Sequence, residues 1–355
     1  MFSSPGATSA PAPTQTSRLQ ALGWTPFFAQ QIAAETLSET PPVRIVEVHR
    51  NGLHALGEDL DTLIPPGPDA TVGDWLLYDH EHPDRSQILD RRSLVKRKAP
   101  GTDRQVQLIA ANIDTLFVVS SCNQDFNVAR LERYIALAFD ADLEPVILLT
   151  KQDLAEDAEI YVQKAQAISD RVVVIALDAR GPDVAKALSD WCKPGQTVAF
   201  VGSSGVGKST LANALSGEDT IATAAIREDD AKGRHTTTRR QLHLVPGGCL
   251  VLDTPGMREL QLADASAGIG ALFADIEALS HSCRFRDCQH ESEPDCAVLA
   301  ALEAGEIDAP RLARWRKLMA EEAYNSASLA ERREKDRAFG KMVRRVVKDK
   351  KDSKR

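Results

Sequence analysis

The 355-residue sequence predicts a multi-domain α/β protein built around a doubly wound, mostly parallel sheet. Three observations carry that expectation. Apolar strand-like runs alternate with amphipathic helical stretches from Asn112 to Trp191. A glycine-rich loop, Gly202-Ser203-Ser204-Gly205-Val206-Gly207-Lys208-Ser209, sits between an apolar run and a helical one. Cysteines and a histidine cluster near the C-terminus with the spacing C-x4-C-x-H-x5-C.

Composition bounds what surrounds this unit. With 43% hydrophobic and 26% charged residues the chain reads as a water-soluble globular protein long enough for two or three domains. It has no apolar run of membrane-spanning length and no basic-then-apolar leader, so a cytoplasmic address is expected. The formal charge of −8 is uneven. Residues Glu331 to Arg355 hold twelve Lys/Arg against five Asp/Glu, which leaves −15 for the rest. A basic tail on an acidic body suits contact with a polyanion, or simply a solvated end.

In chain order, residues 1–18 are rich in Pro, Ala, Ser and Thr and are expected to be disordered. An amphipathic segment runs from Leu19 to about Glu35. Short strands follow. Val43-Arg44-Ile45-Val46-Glu47-Val48 precedes Asn51-Gly52, a two-residue hairpin signal. Trp75 to Tyr78 and Gln87 to Leu89 are further strand candidates, and Arg91 to Lys98 carries five cationic residues. Short strands with a basic edge over 19–100 suit a small RNA-binding barrel of the oligonucleotide-binding type, though a barrel of other purpose has the same signature. Asp114 to Val119, Pro145 to Leu149 and Arg171 to Ile175 then read as buried strands. Val128 to Asp142 and Asp183 to Trp191 read as helices. Arg240 to Val245 and Cys249 to Asp253 flank Gly247-Gly248 as an antiparallel hairpin.

The chemistry of the glycine-rich loop follows from its residues. Small side chains let successive backbone N–H groups turn inward around phosphates. Lys208 adds a point charge there, and the Ser209 hydroxyl, beside Thr210, can ligate Mg²⁺. Asp253-Thr254-Pro255-Gly256 ends the next apolar strand. Its carboxylate can hold Mg²⁺ through water, and the Gly256 N–H can meet a γ-phosphate. Between them, Gly233-Arg234-His235-Thr236-Thr237-Thr238 has the make-up of a switch whose hydroxyl senses Mg²⁺ and γ-phosphate. Upstream of the phosphate loop, Thr150-Lys151-Gln152-Asp153 closes a strand. An Asp there can accept from guanine N1–H and N2–H₂, a donor pair that adenine lacks.

This order of base motif, phosphate loop, switch and Asp-x-x-Gly resembles that of the circularly permuted GTPases. With the preceding barrel and the cysteine cluster, Leu19 to Ala320 is similar to the bacterial small ribosomal subunit biogenesis GTPases, the ribosome-dependent circularly permuted family. The resemblance implies an N-terminal oligonucleotide-binding barrel (19–100), a permuted phosphate-loop GTPase domain (101–264), a helical zinc-binding domain (265–330) and a basic tail (331–355). It implies GTP hydrolysis, GTP and GDP as ligands with Mg²⁺, and the 30S subunit and its 16S rRNA as partners. A monomer with no membrane contact is expected. GTP would favour docking on the maturing subunit, and hydrolysis would release it. Nucleotide contacts fall on Thr150, Lys151, Asp153, Gly202, Ser203, Ser204, Gly205, Val206, Gly207, Lys208, Ser209, Thr210, Asp253 and Gly256.

The chain departs from that family's pattern in two places. Thr150 stands where the base motif usually begins with Asn, and Ala176-Leu177-Asp178 replaces a common Ser-Ala. The first change costs about one hydrogen bond, roughly 0.5–1.5 kcal/mol. Met257 follows Gly256, where small signalling GTPases place a water-orienting Gln. Lys208, Ser209 and His235 are the expected catalytic set, with slow unassisted turnover the consequence; His235 is the nearby candidate for orienting water, against a packing or RNA-contacting histidine, and a ribosomal element is the other source of that group. The rival reading is a nucleotide-gated RNA-binding module with little intrinsic hydrolysis.

Four thiol and imidazole ligands, Cys283, Cys288, His290 and Cys296, suit one closed tetrahedral structural Zn²⁺. Cys122, Cys192 and Cys249 read as packing residues. Helices are expected over Ala271 to Ser280, Ala297 to Ala304 and from Asp308 to about Glu322.

Overall fold

The computed structural model describes residues 17–33, 37, 39–49, 51–65, 69–98, 106–217, 240–253 and 265–326. The switch Gly233–Thr238 with His235, the residues Gly256 and Met257, and the basic tail lie outside the described residues.

The amphipathic N-terminal segment is two short helices, α1 (Arg18–Ala21) and α2 (Pro26–Ala29). Ser17 and Arg18 fall inside the stretch expected to be disordered, yet they open α1. The Ser17 hydroxyl accepts from Gln20 N, and the Gln20 side chain accepts from Ser17 N in return. Pro26 starts the second helix, because its missing N–H costs nothing in a first turn.

Five antiparallel strands follow: β1 (Pro42–His49), β2 (Gly52–Leu56), β3 (Asp61–Ile64), β4 (Trp75–Leu77) and β5 (Gln87–Ile88). They run in the order β5-β4-β1-β2-β3 as a partly open barrel wall around Val43, Ile45, Ala55, Ile64 and Leu76. The β1–β2 hairpin is expected to turn at Asn51-Gly52, but Gly52 is already paired with His49. A side chain at Gly52 would meet the Ile64 carbonyl at 2.6 Å, so this glycine serves the approach of β3 instead. A separate hairpin, β6 (Leu94–Lys98) with β7 (Val106–Ala111), straddles residue 100, where the barrel is expected to end.

The doubly wound unit is as expected. Its strands are β8 (Thr115–Ser121), β9 (Glu144–Thr150), β10 (Val173–Ala176), β11 (Thr197–Val201), β12 (Arg240–Leu244) and β13 (Leu250–Asp253). The order β10-β9-β8-β11-β13-β12 is parallel except for the β12 edge, which is antiparallel to β13. Helices α3 (Val128–Asp140) and α4 (Glu159–Gln166) cover one face. Helices α5 (Val184–Ala187) and α6 (Lys208–Ser216) cover the other. The expected helix to Trp191 is only one turn long. The chain then loosens, and Trp191 packs edge-on to Phe117 while its Nε1 donates to Glu144 at 2.9 Å.

The barrel and this sheet are continuous. β1 pairs antiparallel with β12, Glu47 opposite Gln241 and Val48 opposite Arg240, giving one eleven-stranded sheet. Beneath the junction lies Arg44, buried on β1. Its guanidinium donates to the carbonyls of Leu22, Gly73 and Asn112 and to the Thr197 hydroxyl. Burial pulls it down to about 10, which still leaves it charged at neutral pH.

The C-terminal part is helical: α7 (Ser266–Leu272), α8 (Ala274–Ser280), α9 (Ala297–Glu303) and α10 (Ala309–Ser326). Gly268 on α7 lies against α3 so closely that a Cβ would sit 2.0 Å from the Ala136 carbonyl. The helices therefore meet backbone to backbone, and the C-terminal part shares the core of the sheet through Ile269, Leu272, Trp315 and Leu318.

Candidate nucleotide site and metal centre

The apolar strand β11 delivers the chain to Gly202, whose φ of 142° and whose contact with Val119 exclude other residues. A Cβ there would lie 2.2 Å from the Val119 carbonyl. Ser203, Ser204, Gly205 and Val206 complete the loop, with Val206 buried beneath it. Gly207 caps α6, so Lys208, Ser209 and Thr210 form the first turn of that helix, where unpaired N–H groups and the helix dipole favour an anion. Lys208 Nζ donates to the carbonyls of Gly202 and Ser203, which holds the ammonium over the loop.

Two more segments converge on this turn. A Cβ on Gly207 would lie 3.6 Å from the Ala179 methyl and 3.7 Å from Thr150 Oγ1. Thr150, at the end of β9, is wholly buried, and its hydroxyl donates to the Val206 carbonyl at 2.6 Å. It therefore braces the phosphate loop from behind, making part of the contact expected of the missing Asn. Lys151 takes a left-handed backbone, φ 58°, turning the chain into a short 3-10 turn on which Asp153 stands exposed. The loop after β10 runs alongside. Leu177 N donates to Leu149 O at 2.9 Å, and Asp178 Oδ1 accepts from Arg180 N. Ala179 is thus a wall of the site that motif spacing gave no reason to single out. Asp253 ends β13, the strand beside β11.

On the other flank the loop borders a cleft of about 550 Å³. Asn127, Arg130 and Arg133 of the α3 N-terminus line one side, and Arg314 and Lys317 of α10 the other. Arg130 donates to the Ser203 hydroxyl. Glu132, fully buried, accepts from Arg314 Nε at 2.8 and 2.9 Å. Burial pushes its carboxyl above the usual carboxylate range against the pull of Arg314. Arg133 pairs with Glu321. The sequence marks none of these, because an arginine on a helix face carries no spacing signature.

The expected basic edge of the barrel is reassigned in part. Arg91 forks onto the buried Asp74, at 2.7 and 2.8 Å, and Arg92 pairs with Asp114. Arg91 is thus tied into the scaffold, whereas Arg92 stays exposed beside its partner. Lys96 remains exposed on β6.

Cys283, Cys288, His290 and Cys296 bring their ligand atoms within 4.8 Å of one another. Cys283 Sγ lies 3.8 Å from Cys296 Sγ and 3.5 Å from His290 Nδ1, and His290 Nδ1 lies 3.4 Å from Cys296 Sγ. Tetrahedral Zn²⁺, with about 2.3 Å to sulfur and about 2.0 Å to nitrogen, gives edges of about 3.8 and 3.5 Å, so the donor set fits. His290 holds a left-handed backbone and packs against Trp315 of α10, ring centroids 5.4 Å apart. Among the described residues no helix is long and apolar enough to cross a membrane.

Residues 88–263 match the family model of the RsgA GTPase. The small ribosomal subunit biogenesis GTPase RsgA 2 of Vibrio vulnificus is 49% identical over 340 residues, covering 95% of this chain and 97% of its own. The RsgA of Mesorhizobium japonicum is 52% identical over 314 residues, covering 86% and 90%. Among solved structures, YjeQ from Thermotoga maritima superposes with a TM-score of 0.57 at 26% identity, covering 79% of this chain and 97% of that one. The circularly permuted GTPase YloQ gives 0.53 at 25% identity, covering 79% and 94%.

Proposed function

This chain belongs to the RsgA GTPase family, and on that premise we propose how its residues divide the work of a GTP hydrolase that serves small ribosomal subunit biogenesis. The phosphates of GTP lie in the Gly202–Gly207 loop, with Lys208 on the outer phosphates. Ser209 and Asp253 would hold Mg²⁺, which would supply neutralisation of phosphate charge. Lys151 and Asp153 take the base, with Asp153 accepting from its two N–H groups, and Thr150 keeps that loop in register with the phosphate loop. Gly256 reads the γ-phosphate, and His235 orients the attacking water in place of the absent Gln. The four-ligand cluster holds one structural Zn²⁺.

The observation that carries this reading is the meeting of three chain segments at Gly207. Thr150 at the end of β9, and Ala179 in the turn after β10, stand within van der Waals reach of the phosphate-loop turn. That is the arrangement a purine nucleotide needs, phosphates on one loop and base on the next two. The barrel over 19–100, with exposed Lys96, and the basic tail contact 16S rRNA of the 30S particle, with the GTP form docking and the GDP form leaving. The protein acts in the cytoplasm as a monomer. Phosphate release from GTP and from ATP, measured with purified 30S, 50S and 70S particles in parallel, tests this. Stimulation by the 30S particle with GTP alone is expected. Equal rates with and without 30S particles would reject the ribosomal coupling, and equal use of ATP would reject the base assignment.

A further inference from the structure

The segment between the first two thiols of the metal cluster, Arg284-Phe285-Arg286-Asp287, is built as a display loop. Both ends carry thiols of the four-ligand cluster, Cys283 and Cys288, which a bound metal would fix. Inside it, Cys288 N donates to Phe285 O at 3.3 Å, and Arg284 N to Asp295 O at 3.5 Å. Yet all four intervening side chains face solvent, and Phe285 is 41% exposed. The Arg284 guanidinium lies over the Phe285 ring, 5.4 Å from its centroid, and is held from the other side by Asp295 at 2.7 Å. Arg286 makes no ion pair among the described residues. An aromatic ring needed for packing would be covered. This one stays partly open to solvent, with Arg284 over the ring and Arg286 next to it in sequence.

Resting on the small-subunit reading above, we propose that Phe285 is a stacking platform for an unpaired base of RNA, with Arg284 and Arg286 flanking it against the adjoining phosphates. The chemistry is that of single-stranded RNA recognition, in which splayed bases stack on aromatic rings and on guanidinium planes. A loop pinned at both ends by a bound metal loses little freedom when it binds, so the contact is not offset by ordering costs. The acidic neighbours do not oppose it as their number suggests. Asp295 is engaged by Arg284, and the Glu293 carboxylate is folded back to accept from the backbone N–H groups of Gln289, Glu291 and Ser292. Asp287 and Glu291 remain exposed, and their charge opposes phosphate close to them. A protein groove is the other surface that Arg-Phe-Arg could enter, and the test separates the two.

Full-length protein carrying Phe285→Ala, Phe285→Trp or Arg286→Ala is compared with the parent for binding to 30S particles with a non-hydrolysable GTP analogue. Phe285→Ala should weaken binding about tenfold, while Phe285→Trp stays within about twofold, since any aromatic ring stacks. Zinc content and basal hydrolysis should match the parent. A photoreactive phenylalanine analogue at position 285 should crosslink to an unpaired rRNA nucleotide. Parent-like binding by Phe285→Ala, or a crosslink to a ribosomal protein, overturns the proposal. Should Phe285→Ala lose its zinc, the crosslink alone decides. Should the parent itself ignore 30S particles, the functional reading fails. The Ala and Trp variants then settle stacking on a single-stranded RNA oligonucleotide, where equal affinities reject it and an Ala-specific loss supports it.

Discussion

Arg44 and Thr197, 153 residues apart in sequence, are joined by a 2.9 Å hydrogen bond from guanidinium to hydroxyl. One residue belongs to the barrel, and the other begins the strand that ends in the phosphate loop. The bond is a corner of a buried junction that also takes in the carbonyls of Leu22, Gly73 and Asn112.

Removing the hub should therefore loosen both parts together. Arg44→Met strands several buried acceptors and should cost about 3 kcal/mol, whereas Thr197→Val removes one bond and should cost about 1 kcal/mol. Thermal unfolding of the two variants and their double mutant is the measurement. A double mutant no worse than Arg44→Met would place Thr197 within the Arg44 network. An unshifted melting temperature for Arg44→Met would mean that the barrel is tethered by sheet pairing alone.

Asp153 stands exposed on its turn, ready to accept hydrogen bonds. Asp153→Asn should weaken GTP binding by roughly 1.5–3 kcal/mol through loss of a charge-assisted acceptor, and should admit xanthosine nucleotides. Calorimetric titration with GTP, XTP and ATP checks this. Parent-like GTP affinity would move base reading elsewhere, with the loop at Ala176–Asp178 the next place to look.

Lys208→Ala should abolish hydrolysis. His235→Ala should reduce turnover about a hundredfold with GTP affinity kept, the size of a lost proton-positioning group. Single-turnover rates with 30S particles present separate the two effects. An unchanged stimulated rate for His235→Ala would assign water positioning to the ribosome.

Arg314 neutralises the buried Glu132 across the contact between α3 and α10. Arg314→Ala leaves that carboxylate uncompensated and should destabilise the protein by about 3 kcal/mol near neutral pH. The sign of the pH dependence follows from burial. A carboxyl whose folded value lies above its unfolded one is best tolerated when protonated, so stability falls as pH rises through that interval. In the variant the interval widens upward, so the deficit should shrink as pH is lowered from 8 toward 5. Melting curves across that range test it, and a pH-independent deficit would assign the loss to packing.

The purified protein should carry one Zn²⁺ per chain, and Cys288→Ser or a chelator should release it. Loss of His290 packing on Trp315 should then expose α10, detectable as faster amide exchange over Ala309–Ser326, while GTP still binds. Metal analysis without zinc, in protein never exposed to chelator, would defeat this assignment.

Much of this was legible because it is local. Loop glycines, strand-ending carboxylates and ligand spacings are short-range patterns, and the alternation of strands with helices made the parallel sheet plain. What escaped was set by distant partners. Arg91 reads as a cation for nucleic acid until Asp74 is found beneath it, and Thr150 reads as a defective Asn until Val206 O is found above it. Gly52 looked like a turn residue because Asn-Gly is a turn signal, whereas the approach of β3 decides its use. Helix α4 was missed because its only buried residue is Ala165, too little for a hydrophobic stripe to declare itself.

The pairing of β1 with β12 also limits how the molecule can be dissected. Shorn of everything before residue 112, the GTPase unit would keep its sheet but bare the outer rim of β12, an unpaired row of amides and carbonyls carrying the exposed Leu244. Such a rim invites pairing with a second chain. A fragment cut there should therefore be sticky in solution, and any self-association it displays would report the knife rather than the native protein.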